Sequence, residues 1–163
     1  MTAEQTVYSS DLAGIVVGDT AISDVQGDQG LLSYRGIDIN DLVGVPFLHV
    51  VWMVLFGDWP EEQEKSRLKA LMCRHTRLSH AEIELLQHVP RDLHPMLMLQ
   101  GMVPLLQLPE EQTLDIEPAA EHGLIIAAKI TALIAAHYRL SQSKVVLAPT
   151  PGRLFHDNFP VNG

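Results

Sequence analysis

Eight histidines, one cysteine and twenty carboxylates make metal binding and acid–base catalysis the first chemistries to weigh in this 163-residue chain. Glu84 and His88 are spaced i,i+4, as are Glu117 and Glu121. A zinc site needs three or four convergent ligands held by further hydrogen bonds. These spacings supply no such set, so no metal ligand is assigned. His75 and His80 lie near expected helix ends and read as dipole or cap partners. His94 directly precedes Pro95 and reads as a cap. His137 falls on the most apolar segment, where a buried, hydrogen-bonded structural histidine is preferred to a catalytic one. Cys73 lies on an amphipathic segment beside Arg74 and His75, away from any helix N-terminus, and reads as a structural thiol. Gly27 and Gly30 make a turn rather than a phosphate cradle, because no helix opens directly behind them. Arg35, in Tyr34-Arg35-Gly36, is the most site-like single residue. Held between a hairpin and a helix, it could contact an anion or a partner. The competing reading is a surface or salt-bridged arginine. No residue is assigned a catalytic or cofactor-binding role.

The elements that must position these groups are mainly helical. Val16, Val17, Thr20, Ile22 and Val25, then Leu31, Leu32 and Tyr34, predict a β-hairpin around Gln26–Gly30. Pro46 opens a helix over Phe47 to Phe56 that is apolar nearly all round and is expected in the core, with Gly57 as its C-cap. Asp58 is expected to cap the next helix, with Pro60 in its first turn. Leu68, Leu71, Met72 and His75 keep helical spacing along it. Ser79-His80-Ala81-Glu82 has the capping-box form, ahead of a stripe of Ile83, Leu86 and Val89 that Pro90 ends. Pro95 opens a helix carrying Met96, Met98, Leu99, Met102, Leu105 and Leu106, which Pro104 should kink or split. Pro109 to Glu117 is an acidic connector. Pro118 starts the longest helix, which runs to about Leu140. Residues 1–13 are expected to be loosely held and Ser141 to Gly163 to be loop or disordered.

Composition narrows the class. The chain is 47% hydrophobic and 19% charged, enough for one globular domain with a real core. A net charge of −9 argues against a nucleic-acid surface, which needs clustered Lys and Arg. One cysteine excludes a disulfide framework and suits a reducing, cytoplasmic setting. No N-terminal basic-plus-apolar signal segment is expected before the hairpin. Lys129 interrupts the longest apolar run, Gly123 to Ala136, so that segment is expected to be a buried helix rather than a membrane span.

Four motifs in order resemble the citrate synthase family. The string from Thr20 fits T-x-I-S-x-V-x-G-x-x-G-x-L-x-Y-R-G-x-x-I. Val50 to Pro60 is similar to the family's apolar helix ending in Leu-Phe-Gly, and His94-Pro95-Met96 to its His-Pro-Met. Ala128-Lys129 with Ala135 and Tyr138-Arg139 resembles A-K-x-P-x-x-x-A-x-x-Y-R. The likeness runs from about Gly14 to Arg139. Thr131 replaces the proline of the last motif, Pro104 interrupts a helix, and Pro160 departs from the pattern after Asn158-Phe159.

The resemblance implies a mainly α fold: a β-hairpin followed by the N-terminal part of a helical large domain, spanning residues 14–140. It also implies acyl transfer from acetyl-CoA or another short acyl-CoA to oxaloacetate. A carboxylate base, two histidines and arginines do that chemistry in the family. Their motifs (a His-Gly-Gly-Ala segment, a Gly-His-Arg segment, a later aspartate) are not found here. The chain is therefore expected to be inactive alone, to bind acetyl-CoA poorly and to carry no covalent cofactor. It is expected to be a truncated product or one piece of a split enzyme. A non-catalytic regulatory subunit and a generic helical interaction module are the alternatives. The expected partner is a second copy or a complementary citrate synthase chain, with no nucleic acid and no membrane. Leu124, Ile126, Ile130, Leu133 and Ile134 cover more of the last helix than one core-facing stripe needs, and they mark its expected interface.

Overall fold

The computed structural model describes residues 18–150. The expectations for residues 1–13, for Val16 and Val17, and for the chain beyond Thr150 lie outside the described residues. The chain divides into two compact units between Trp59 and Pro60.

In the first unit, β1 (Ser23–Gln26) and β2 (Leu31–Tyr34) form the expected antiparallel hairpin, with Ser23 opposite Tyr34 and Gln26 opposite Leu31. A single 3₁₀ turn over Gly27–Gln29 joins them, and Gly30 takes a left-handed φ of 66°. A third strand was not anticipated. β3 (Ile37–Asp38) pairs with β2, placing Tyr34 opposite Ile37. Only Arg35 and Gly36 lie between, at φ 52° and 80°. Positive φ at both positions is what a two-residue turn needs to match the twist of its strands. Asp38 then caps the short α1 (Ile39–Leu42) by accepting from the Asn40 amide.

α2 (Phe47–Phe56) starts after Pro46 and ends at Gly57, whose φ of 92° suits a glycine C-cap. It is less enclosed than its composition suggests. Leu48, Trp52 and Met53 are buried, whereas Phe47 and Leu55 are 54% and 42% exposed. Trp52 and Phe56, one turn apart, stack with ring centroids 4.5 Å apart.

The second unit opens on α3 (Glu62–His75), and here the expected cap is corrected. Glu61, not Asp58, occupies the cap position, and it forms a reciprocal capping box with Glu64. Pro60 therefore stands outside the helix. α4 (His80–His88) starts with the expected Ser79–Glu82 box. His94 caps α5 (Pro95–Met102) through its ring nitrogen, which accepts from the Met96 amide. Pro104 splits this helix: α5 ends at Met102, and Val103–Leu105 form a 3₁₀ turn. The methionine stripe needs correction too. Met98 and Met102 are buried, but Met96 is 65% exposed and Leu105 53%. At 100° per residue Met96 points about 200° away from Met98, on the opposite face.

α6 (Pro118–Ser141) is continuous for 24 residues. Thr131 stands where the related motif has proline, and its hydroxyl donates to the Ala128 carbonyl without breaking the helix. α3, α4 and α5 all pack on α6. Leu78, Leu86, Met98, Met102, Leu133 and Ala136 form a core cluster, flanked by Ile83, Val89 and Leu99. Beyond Ser141 the chain leaves the helix but stays attached. Arg91 donates to the Ser143 hydroxyl, Arg139 to the Val145 carbonyl, and Val146 packs on the core cluster.

Candidate functional site

Several of the described histidines make structural contacts. His88 approaches the backbone carbonyl of Glu84 at 2.8 Å rather than its carboxylate, and His80 lies 3.4 Å from that carboxylate. His137 is buried, with its Nε2 3.0 Å from the Leu93 carbonyl on the loop before α5. Cys73 is half-buried on α3. Among the described residues, no three His, Cys, Asp or Glu side chains converge as a metal-binding group.

Arg35 is placed by the tight turn and by α2. Its guanidinium donates from Nε to the Val54 carbonyl at 3.1 Å and from Nη2 to the Leu55 carbonyl at 3.3 Å. Those carbonyls belong to the last turn of α2, the negative end of the helix dipole, where a cation is stabilising. Non-glycine residues reach positive φ only at a cost. Here that conformation aims the arginine at the helix end.

Among the described residues, a buried polar cluster joins groups that spacing did not reveal. Glu82 is 1% exposed and Lys129 5%. The Lys129 ammonium donates to the Glu82 carboxylate, which also accepts from the amides of Ser79 (2.7 Å) and Gln107 (2.9 Å). One side chain thus caps α4, pairs with α6 and holds the start of the connector. Burial alone would raise its pKa, but the hydrogen bonds from Lys129, Ser79 and Gln107 outweigh burial and hold it below the usual carboxylate range. Glu121, also 1% exposed, follows the same logic. It accepts from the Thr113 amide (2.9 Å), the Thr113 hydroxyl (2.9 Å) and the Leu114 amide (2.8 Å), and these bonds outweigh burial to lower its pKa. His75 lies in the field of both carboxylates. Burial lowers its pKa, helped by the charges of Lys129 and Arg74. Among the described residues, every buried side-chain nitrogen or oxygen has a hydrogen-bond partner. The capping box pointed to one of the contacts of Glu82. Its partners 25 and 47 residues away carry no periodic signal.

The five residues expected at an interface separate into two sets. Leu124 and Leu133 are 4% and 0% exposed, enclosed within their own chain. Ile126, Ile130 and Ile134 are half-buried and follow one another at i,i+4 along α6. By length and apolarity alone α6 could cross a bilayer. Its buried polar residues Glu121, Lys129 and His137 are each bonded to another segment of the chain, as in a core helix.

A small antiparallel sheet with short helices in the first unit, and helices α3 to α5 packed on the long α6 in the second, define a mainly α protein. The chain belongs to the citrate synthase family: the model for "Citrate synthase, C-terminal domain" matches residues 11–160. It is 30% identical over 159 residues to the citrate/2-methylcitrate synthase of Bacillus subtilis, covering 96% of this chain and 43% of that protein. The 2-methylcitrate synthase of Shewanella oneidensis is 29% identical, with coverages of 89% and 39%. The fold is that of the citrate synthase of Pyrobaculum aerophilum, at a TM-score of 0.80 and 23% identity over 98% of this chain and 45% of the other. The citrate synthase of Thermotoga maritima gives 0.79 at 22% identity, with coverages of 94% and 40%. The chain spans about two fifths of the length of the curated relatives it matches.

Proposed function

We propose that this chain supplies scaffold and subunit contacts to a cytoplasmic protein that transfers the acyl group of acetyl-CoA, or of another short acyl-CoA, to oxaloacetate. The product is citrate or 2-methylcitrate. The observation that carries this reading is the unbroken family match over residues 11–160. Relatives named for citrate and for 2-methylcitrate both match, so the acyl group is left as a class. The chain alone is inactive in this reading and binds acyl-CoA poorly. Supporting this, Glu82, Glu121, Lys129 and His137 are engaged within the fold, and none of the family's catalytic motifs is present in the sequence. The half-exposed Ile126–Ile130–Ile134 stripe is the contact with a second chain.

Thiol release from acetyl-CoA and from propionyl-CoA, each with oxaloacetate, tests the reading. The purified chain should give only the background rate, since losing the acid–base groups removes most of a barrier reduction of at least ~8 kcal/mol. Turnover proportional to the amount of chain would refute the scaffold role.

A further inference from the structure

Residues 107–117 cross from the 3₁₀ turn after α5 to the start of α6 without regular secondary structure. Leu114 is the one residue among them that is buried. The segment bears four carboxylates (Glu110, Glu111, Asp115 and Glu117) and no basic residue. Its own bonding is slight: the Gln112 amide side chain donates to the Ile116 carbonyl at 3.2 Å. What fastens it is carboxylate at its start and again at Thr113–Leu114. Glu82 of α4 accepts the Gln107 amide. Glu121 of α6 accepts the Thr113 amide, the Thr113 hydroxyl and the Leu114 amide. Between them, His122 approaches the Pro109 carbonyl at 3.3 Å.

We propose that residues 107–117 form a strap that opens as a unit, apart from the helical core, when its two carboxylate clasps are neutralised. Two features make it separable. Leu114 is its one buried side chain, with Leu108, Pro109 and Ile116 half-buried, so its hold leans on charge-assisted bonds, which are stronger than neutral ones. Segments of that kind open locally at a lower free energy than the packed core. The core cluster, by contrast, draws no residue from the strap.

The groups facing each clasp set the direction. Glu82 meets the ammonium of Lys129 on α6 and lies in the field of His75 on α3. Glu121 has His122 beside it and the same His75 across from it. Lys129 at Glu82, and the amide and hydroxyl donors at both sites, favour the carboxylates charged, so the strap is closed at neutral pH and is released on acidification. Lys129 remains to hold Glu82, so the Glu121 end opens first.

Amide hydrogen exchange by mass spectrometry on the full chain tests this. In Glu121→Gln at neutral pH, exchange across 112–116 should rise at least about tenfold. Peptides containing Leu86, Met98, Ala128 and Leu133 should stay as protected as in the unmodified chain. Thr113→Val, which removes only the hydroxyl bond, should give a smaller rise in the same peptide. Should Glu121→Gln not fold, the unmodified chain decides. As pH is lowered from neutral through and below the ordinary carboxylate value, the strap should lose protection before the core peptides, after correction for intrinsic rates. Strap and core peptides losing protection together, in the variant or in the acid series, would overturn the proposal.

Discussion

The Lys129 ammonium lies 2.5 Å from the Glu82 carboxylate, with 6% and 1% of the two side chains exposed. These residues are 47 positions apart, one in the middle of α6 and the other in the first turn of α4. Removing one member of a buried pair strands the other charge, at a cost of about 3–5 kcal/mol. Lys129→Met should therefore lower the urea midpoint sharply. The double variant Lys129→Met with Glu82→Leu should recover part of that loss. Full recovery is not expected, because the Ser79 and Gln107 amides would still lack their acceptor. Equal midpoints for Lys129→Met and the unmodified chain would show the pair to be dispensable.

Stability should fall in two stages as pH drops. His75 has a lowered pKa in the folded chain, so between that value and the ordinary 6.5 the unfolded chain binds the extra proton. Its contribution is complete above 6.5 and is lost as pH falls through the window below. Glu82 and Glu121 are also lowered, so what they contribute is present above the ordinary carboxylate value and lost as pH falls through their folded values. His75→Gln should remove the first stage and leave the second. Chemical denaturation at a series of pH values separates them. A profile that His75→Gln leaves unchanged would remove His75 from this account.

Replacing Arg35 tests whether its conformation or its side chain matters more. Asn suits the left-handed region at least as well as arginine, but it cannot reach the Val54 and Leu55 carbonyls. Arg35→Asn should destabilise the chain by about 1 kcal/mol, because two hydrogen bonds to a helix end outweigh the relief in the turn. Amide exchange should speed up in the last turn of α2. A stabilised Arg35→Asn would mean that the turn geometry, not the helix contact, decides.

On α6, Ile130→Asp should shift the chain towards monomer, since Ile130 is half-buried in the single chain and sits mid-stripe between Ile126 and Ile134. The aspartate would place an unpaired charge in an apolar contact. Sedimentation velocity at tens of micromolar reads the outcome. A clean monomer for the unmodified chain would refute the interface.

What was legible from the residues was local. Ser79 and Glu82 make their box, Gly57 its left-handed cap, His94 its ring cap, and Pro104 its break, because each depends on neighbours within four residues. Asp58 has the residue type common at caps, yet the reciprocal bond between Glu61 and Glu64 three residues on sets the helix start at Glu61. β3 was missed because two residues are too few to show alternation. The pairing of Arg35 with Gly36 between strand-like segments was its one available signal. Hydrophobic periodicity says which face is inside. It says nothing of which buried carboxylate meets which buried amide, so the bonds of Glu82 to Lys129 and of Glu121 to Thr113 emerged only from the fold.

Three donors share the two oxygens of Glu82, and that has a consequence for how the chain tolerates change through descent. Substitutions at Ser79, Gln107 and Lys129 touch the same acceptor, so their effects should not sum. A replacement of Lys129 that is ruinous while Glu82 is ionisable becomes acceptable once position 82 is apolar, and the reverse order has its own barrier. Positions 82 and 129 should therefore be inherited as a pair across related chains, with intermediates rare.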